Sequence, residues 1–278
     1  MDALKPAWWL AVGLLLLPGI CRPQTPLFAQ GAEARLERGF GGRNLSWVLL
    51  DGQGHLAAEH WDEAERAVPP GSMVKPFTAL AFGEEHGGEF PQVLCRGARG
   101  RCWLPKGHGR LGLEEAIAQS CNDYFVTLAG EVDRAQAERV FARYGLAGPA
   151  EGARAEGFAG LSEDWRERPE ALARAFWQLA GERKSPIQGR IVEGMRGSAN
   201  HGTARAVDEA LGADAALAKT GTAACTHRPR GAVDGFVVVL YPADQPRLLL
   251  LVRAHGLTGA GTAKVAGQML RELGMGND

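Results

Sequence analysis

The chain has 278 residues, of which 45% are hydrophobic and 23% charged, with a formal net charge of −1 at pH 7. That is the make-up of a folded protein able to bury a sizeable core, in one large domain or two small ones, and it excludes disorder. Acidic and basic residues are interspersed, which excludes the concentrated basic face that nucleic-acid binding requires.

The predicted elements begin with an apolar run from Trp8 to Leu17, preceded by Lys5 and broken by Pro18-Gly19. About ten apolar residues suit the core of a signal peptide, whereas a membrane span needs about 20. Residues 1–24 are therefore expected to be a signal peptide or an N-terminal membrane anchor, and the protein to be exported to an extracytoplasmic, periplasmic space. Cleavage is not signposted: Ile20 is bulky before Cys21, and no Ala-x-Ala site is evident.

Residues 25–44 are expected to form a linker and lead-in helix, helical from Ala32 to Arg38, and residues 45–278 one domain. Ser46 to Asp51 and His55 to Glu59 form two strand-like runs around the turn Gly52-Gln53-Gly54, a β-hairpin pattern. From Ser72 to Arg205 the pattern is mostly helical, with amphipathic stretches at Glu114–Val132, Arg134–Tyr144 and Pro169–Ala180. Strands return at Phe236–Tyr241 and Leu248–Arg253, and a helix from Ala260 to Leu273 ends the chain. Strands at both ends around a helical middle predict an α+β fold: an antiparallel sheet made by both chain ends, flanked by helices, with an adjoining mainly helical lobe. A cleft between sheet and lobe is the natural place for chemistry.

Three short motifs fall in this frame. In Pro70-Gly71-Ser72-Met73-Val74-Lys75, a serine at the start of a helix would have a lysine one turn on, on the same face. A serine hydroxyl needs a base to become a nucleophile, and a helix N-terminus favours the developing anion. The bland alternative is that Ser72 caps the helix and Lys75 is solvated, because Ser-x-x-Lys arises about once by chance in a chain of this size. Ser120-Cys121-Asn122 offers a hydroxyl that could relay a proton and an amide that could bond a substrate amide, though Ser and Asn also populate ordinary caps and turns. Lys219-Thr220-Gly221-Thr222 is expected on an edge strand. There Lys219 and Thr220 would grip a substrate carboxylate, Gly221 would admit a substrate backbone, and the Thr222 and Ser72 N–H groups would form an oxyanion hole. The bland alternative is a polar edge strand whose lysine discourages aggregation.

The combination is specific. Ser-x-x-Lys, Ser-x-Asn and Lys-Thr-Gly in this order, widely spaced, resemble the signature of serine β-lactamases and penicillin-binding proteins. The likeness extends to Asp51-Gly52-Gln53-Gly54-His55-Leu56, Gly107-His108-Gly109, Asp123-Tyr124-Phe125, Tyr144-Gly145-Leu146 and Gly202-Thr203-Ala204. It covers roughly residues 45–273 and is most similar to the transpeptidase domain of class B penicillin-binding proteins. At this length neither the pedestal nor the glycosyltransferase modules of larger members are expected, and shortened groove loops are expected.

This resemblance implies a D,D-transpeptidase or D,D-carboxypeptidase acting on the D-Ala-D-Ala stem peptides of peptidoglycan, and covalent binding of β-lactams. Ser72 would be the nucleophile, Lys75 the base, and Ser120 with Lys219 the proton donors to the leaving amine. Asn122, Thr220, Gly221 and Thr222 would bind substrate. No cofactor is implied, and a membrane-embedded cell-wall synthase or scaffold is an expected partner. A class D-like β-lactamase or β-lactam sensor is the first alternative. Its second motif is normally Ser-x-Val, where this chain has Asn122, and no class A Glu-x-x-x-Leu-Asn is present. A non-catalytic peptidoglycan- or partner-binding scaffold is the second.

Cys95 and Cys102 bracket a short Arg/Gly-rich loop and are expected to form a disulfide in an oxidising compartment. Free thiols, or a zinc set of Cys95, Cys102, His108 and Cys121, are the alternatives, disfavoured by the irregular spacing. Cys225 has no evident partner, and His201 and His227 are expected on the surface or in loops.

Overall fold

The computed structural model describes residues 27–42, 44–62, 66–181, 185–226 and 233–276. The expected signal or anchor segment, 1–24, and His227 lie outside the described residues. Among the described residues no helix is long and apolar enough to cross a membrane.

Helix α1 (Leu27–Phe40) precedes the hairpin β1 (Leu45–Leu50) and β2 (Leu56–His60). A 3₁₀ turn at Gly71–Val74 leads into α2 (Lys75–Glu85). The short strands β3 (Val93–Cys95) and β4 (Gly109–Leu111) pair with each other. There follow α3 (Leu113–Ala118), α4 (Asn122–Glu131), α5 (Arg134–Arg143), α6 (Ala155–Phe158), α7 (Pro169–Gly181), α8 (Pro186–Asn200) and α9 (Ala206–Leu211). Strands β5 (Leu217–Ala224), β6 (Val233–Tyr241) and β7 (Leu248–His255) and helix α10 (Gly259–Glu272) complete the chain.

The main sheet has the order β2-β1-β7-β6-β5, antiparallel throughout, so both chain ends meet in it and β5 is an edge. Helices α1 and α10 pack on one face and α7 on the other, where the helical lobe adjoins. Both faces being covered explains why β6 and β7 are near-continuous Val and Leu runs rather than alternating ones. The α+β architecture matches the sequence expectation.

Two helix expectations change. The stretch Glu114–Val132 is not one helix: it breaks between α3 and α4, where Ser120 takes a left-handed φ of 51° and Cys121 is extended. That turn bends the second motif toward Lys75. Helix α8 has little apolar periodicity, because glycine, serine, alanine and glutamine take places on its buried face beside Ile191, Val192 and Met195. Its start is nonetheless signposted by a capping box, Ser185 with Gln188. Glycine at 194 lets it press on α3, since a Cβ there would lie 2.7 Å from that of Ile117.

The lobe is joined around Phe77 on α2, fully buried, whose ring lies 5.1 Å from Phe176 of α7 and 5.6 Å from Tyr144 after α5. Phe77→Ala is expected to destabilise the protein by about 3–5 kcal/mol in urea denaturation. A loss below about 1 kcal/mol, the range of ordinary surface changes, would mean that these helices do not share a packed core.

Candidate active site

The 3₁₀ turn carrying Ser72 is held by its neighbours. Met73, Val74 and Phe77 are buried without exposure, which leaves Ser72 the partly exposed member of the turn. The turn lies directly on the edge strand. A Cβ at Gly71, which has a φ of +58°, would collide with the Thr222 carbonyl, and one at Gly221 would sit 2.5 Å from the Pro70 oxygen and 2.7 Å from Met73 Cγ. Glycine at both positions therefore lets the first and third motifs touch backbone to backbone.

The second motif comes in from the other side. Lys75 Nζ donates to the Ser120 carbonyl at 2.8 Å and to Asn122 Oδ1 at 2.7 Å, with Ser120 Oγ at 3.5 Å. Lys219 Nζ donates to Ser120 Oγ at 2.9 Å and to the Thr220 carbonyl at 2.7 Å. The Ser120 hydroxyl thus stands between two fully buried amines whose partners here are neutral oxygens. Burial lowers the Lys75 pKa to about 7, partly opposed by the electrostatic influence of the Cys121–Cys102 pair. Burial, then the charge of Lys75, pushes Lys219 well below the ordinary lysine range. Between about 7 and 10.5 the unfolded chain holds a proton that folded Lys75 has lost. This lysine therefore makes the fold more stable as pH rises across that window, and its full cost is reached below it. A neutral amine at this position can accept a proton near neutral pH.

A cavity of about 410 Å³ opens in front of these groups, lined by Ser72, Ser120, Asn122, Thr220, Gly221 and Thr222. Thr203, Trp103 and Leu161 also line it. None of these three was singled out as a site residue. Thr203 sits in a Gly-flanked turn and reaches the cleft only because α8 ends beneath β5, its hydroxyl 2.6 Å from that of Thr220. Trp103 is half-exposed at the rim, with Nε1 donating to the Gln119 carbonyl at 3.0 Å.

Lys219 is buried beneath Ser120, while Thr203, Thr220 and Thr222 line the cavity. Asn122 is engaged at both ends, by Lys75 at Oδ1 and by the Arg101 carbonyl at Nδ2, 3.2 Å. The surface expectation holds for His201, which faces Glu115 at 3.1 Å on the outside of α8.

The cysteines behind this motif are not disulfide-bonded: Cys95, Cys102 and Cys121 are buried free thiols. The expected Cys95–Cys102 bridge is replaced by a convergence on His108, whose Nδ1 lies 3.4 Å from Cys95 Sγ and 3.5 Å from Cys102 Sγ. Cys102 and Cys121 sulfurs are 4.0 Å apart, and one donor atom from each of the four residues lies within 4.8 Å of every other. A zinc ion bonded to sulfur at about 2.3 Å and nitrogen at about 2.0 Å requires donor separations of about 3.5–3.8 Å in a tetrahedron. The separations of 3.4, 3.5 and 4.0 Å lie close to that requirement, so small shifts would let the four residues hold such an ion. The hydrogen bond with Cys121 lowers the Cys102 pKa to about 4 while Cys121 is pushed up, so the pair can supply a thiolate.

Neither a protein-family model nor a curated protein matches the sequence. Solved structures do match. Pseudomonas aeruginosa PBP2 in complex with WCK 5153 is 19% identical over 88% of this chain and 73% of that one, with a TM-score of 0.71. The transpeptidase domain of Burkholderia pseudomallei penicillin-binding protein 3 is 16% identical over 88% and 91%, with a TM-score of 0.68. Helicobacter pylori PBP2 in complex with MreC is 16% identical over 88% and 63%, with a TM-score of 0.72. This chain has the fold of a penicillin-binding transpeptidase domain.

Gly221→Ala is expected to cost about 1–3 kcal/mol by overpacking against Pro70 and Met73. Thermal unfolding should show a fall of roughly 2–12 °C with far-UV circular dichroism unchanged. An unaltered melting temperature would show that the turn and the edge strand have room between them.

Proposed function

We propose that the chain is a serine acyltransferase of the penicillin-binding class, a D,D-transpeptidase or D,D-carboxypeptidase acting on D-Ala-D-Ala stem peptides. The observation that carries this reading is the Ser120 hydroxyl held between Lys219 and Lys75 behind a cleft lined by Ser72. In this reading neutral Lys75 takes the Ser72 proton as Oγ attacks the penultimate D-Ala carbonyl. The Ser72 and Thr222 N–H groups receive the oxyanion. The peptide C–N bond breaks, and the departing D-Ala amine collects a proton from Ser120, which is resupplied from the lysines on either side. An amine or a water then attacks the acyl-enzyme ester and regenerates Ser72. Threonine hydroxyls at 203, 220 and 222 orient the terminal carboxylate.

Such substrates lie outside the cytoplasm, so the reading includes export and an extracytoplasmic location. It also includes a membrane-associated cell-wall synthase or scaffold as partner, by analogy with the Helicobacter pylori PBP2–MreC complex. The β-lactamase alternative differs in the fate of the adduct, since a lactamase hydrolyses it rapidly. We also propose that Cys95, Cys102, His108 and Cys121 hold a structural zinc ion, which would fix the backbone between Ser120 and Asn122 from behind.

A fluorescent penicillin is expected to form a long-lived adduct with the wild type and none with Ser72→Ala or Lys75→Ala. Acylation should rise with pH through about 7 and then level, because only the neutral form of Lys75 accepts the proton. Normal labelling of folded Lys75→Ala would sink the assignment of the base, and rapid release of hydrolysed penicillin would favour the lactamase.

For the cysteine cluster, Cys102→Ser is expected to carry one equivalent of zinc fewer than the wild type and to melt at a lower temperature. Equal metal content in the two proteins would reject the zinc set.

A further inference from the structure

A second convergence of metal-ligating groups lies at the far end of the same sheet, outside the machinery described above. Cys225 follows the last residue of β5, Asp234 is the second residue of β6, and His255 is the last residue of β7. The register places Asp234 opposite both Ala223 on one side and His255 on the other. Residues two apart on a strand share a face, so an extended continuation of β5 brings Cys225 to the face of Ala223, Asp234 and His255. Phe236 and Val238, two and four residues beyond Asp234, pack in one core cluster with Met73 and Phe77. The three side chains therefore stand on the lobe-facing side, the side on which Gly221 meets the nucleophile turn.

The His255 ring Nδ1 is 3.0 Å from Asp234 Oδ1, and one donor atom from each of the three residues lies within 4.8 Å of the others. The Asp234 side chain is 4% exposed and that of His255 14% exposed. A histidine–aspartate pair across neighbouring strands is common and needs no thiol. What sets this site apart is a third donor, of a different chemical type, delivered by a third strand end to the same point.

We infer that Cys225, Asp234 and His255 form a metal-binding site for a zinc-type divalent ion. The mixed sulfur, nitrogen and carboxylate oxygen donors suit zinc and would serve calcium or magnesium poorly, which take oxygen ligands. Closing the donors from within 4.8 Å to about 3.3–3.8 Å, the tetrahedral separation, requires movement of an ångström or so. Cys225 follows the last ladder pair of β5, Ala224 with Val233, whereas Asp234 and His255 lie within the ladder. Three protein ligands leave a coordination position for water or an incoming carboxylate, unlike the closed four-donor set behind Ser120. Cys225 is four residues from Gly221, about 13 Å along the edge strand. The inference does not depend on the proposed acyl transfer.

The test is zinc and cobalt binding to the full chain, stripped of metal with a chelator and reloaded, read by elemental analysis and by the thiolate-to-cobalt charge-transfer band. Cys225→Ser is expected to bind one equivalent fewer than the wild type and to lose part of that band, with far-UV circular dichroism unchanged. Cys102→Ser should retain the equivalent and the band component that Cys225→Ser has lost, which separates the two sites. His255→Gln, which keeps a hydrogen-bonding side chain beside Asp234, should show the same missing equivalent as Cys225→Ser. If Cys225→Ser matches the wild type in metal content and cobalt spectrum, the site does not exist and the histidine–aspartate pair is purely structural. Penicillin labelling, run on the same samples, reports the acyl-transfer reading separately.

Discussion

The arrangement depends on one hydroxyl. Ser120 Oγ accepts from Lys219 at 2.9 Å while Lys75 holds the Ser120 carbonyl at 2.8 Å, and both amines are sealed from solvent. Two ammonium groups buried so close to one another would repel and would each forfeit hydration, so the fold keeps this pair short of protons. That shortage turns lysine into a base. The energetic cost is met by packing elsewhere in a large core, a common way for strain and desolvation to collect at a functional site.

Three separate elements must arrive together for this to work, and each arrival has its own steric licence. The Ser72 turn reaches the edge strand because Gly71 and Gly221 put no side chain between them. The second motif reaches Lys75 because the chain breaks at a left-handed Ser120 instead of continuing as one helix. The end of α8 places Thr203 against Thr220 from below. The two lobes therefore meet through backbone contacts and short polar bonds, and a cleft forms along β5.

The sulfur-rich cluster behind Ser120 extends the same logic outward. Cys121 is at once a member of the second motif and a neighbour of Cys102, whose sulfur also meets His108, so the cluster is joined to the turn carrying Ser120 through Cys121. His108 Nε2 is buried with no hydrogen-bond partner while Nδ1 faces the two sulfurs, an orientation that serves ligation better than hydrogen bonding. Free thiols stand where the short Arg/Gly-rich loop suggested a disulfide, and they belong to the set of Cys95, Cys102, His108 and Cys121 that the sequence offered as an alternative.

Local chemistry determined much in the sequence. The order of the three motifs and the terminal strands around a helical middle rest on short-range patterns that survive folding, and they set the α+β frame and Ser72, Lys75, Ser120 and Lys219 as the residues of interest. What only the tertiary structure decided were matters of convergence. Burial of Lys219 removed it from the cleft surface, Asn122 became a ligand of Lys75, and Thr203 and Trp103 joined the cleft wall. Four sulfur and nitrogen donors met at one point behind the motif, and three more at the end of the sheet. Periodicity reports which side of an element faces the core, but not which residues from distant elements share that core. Those encounters follow from strand order, from one left-handed residue and from two missing side chains, whose consequences appear only once the chain has closed on itself.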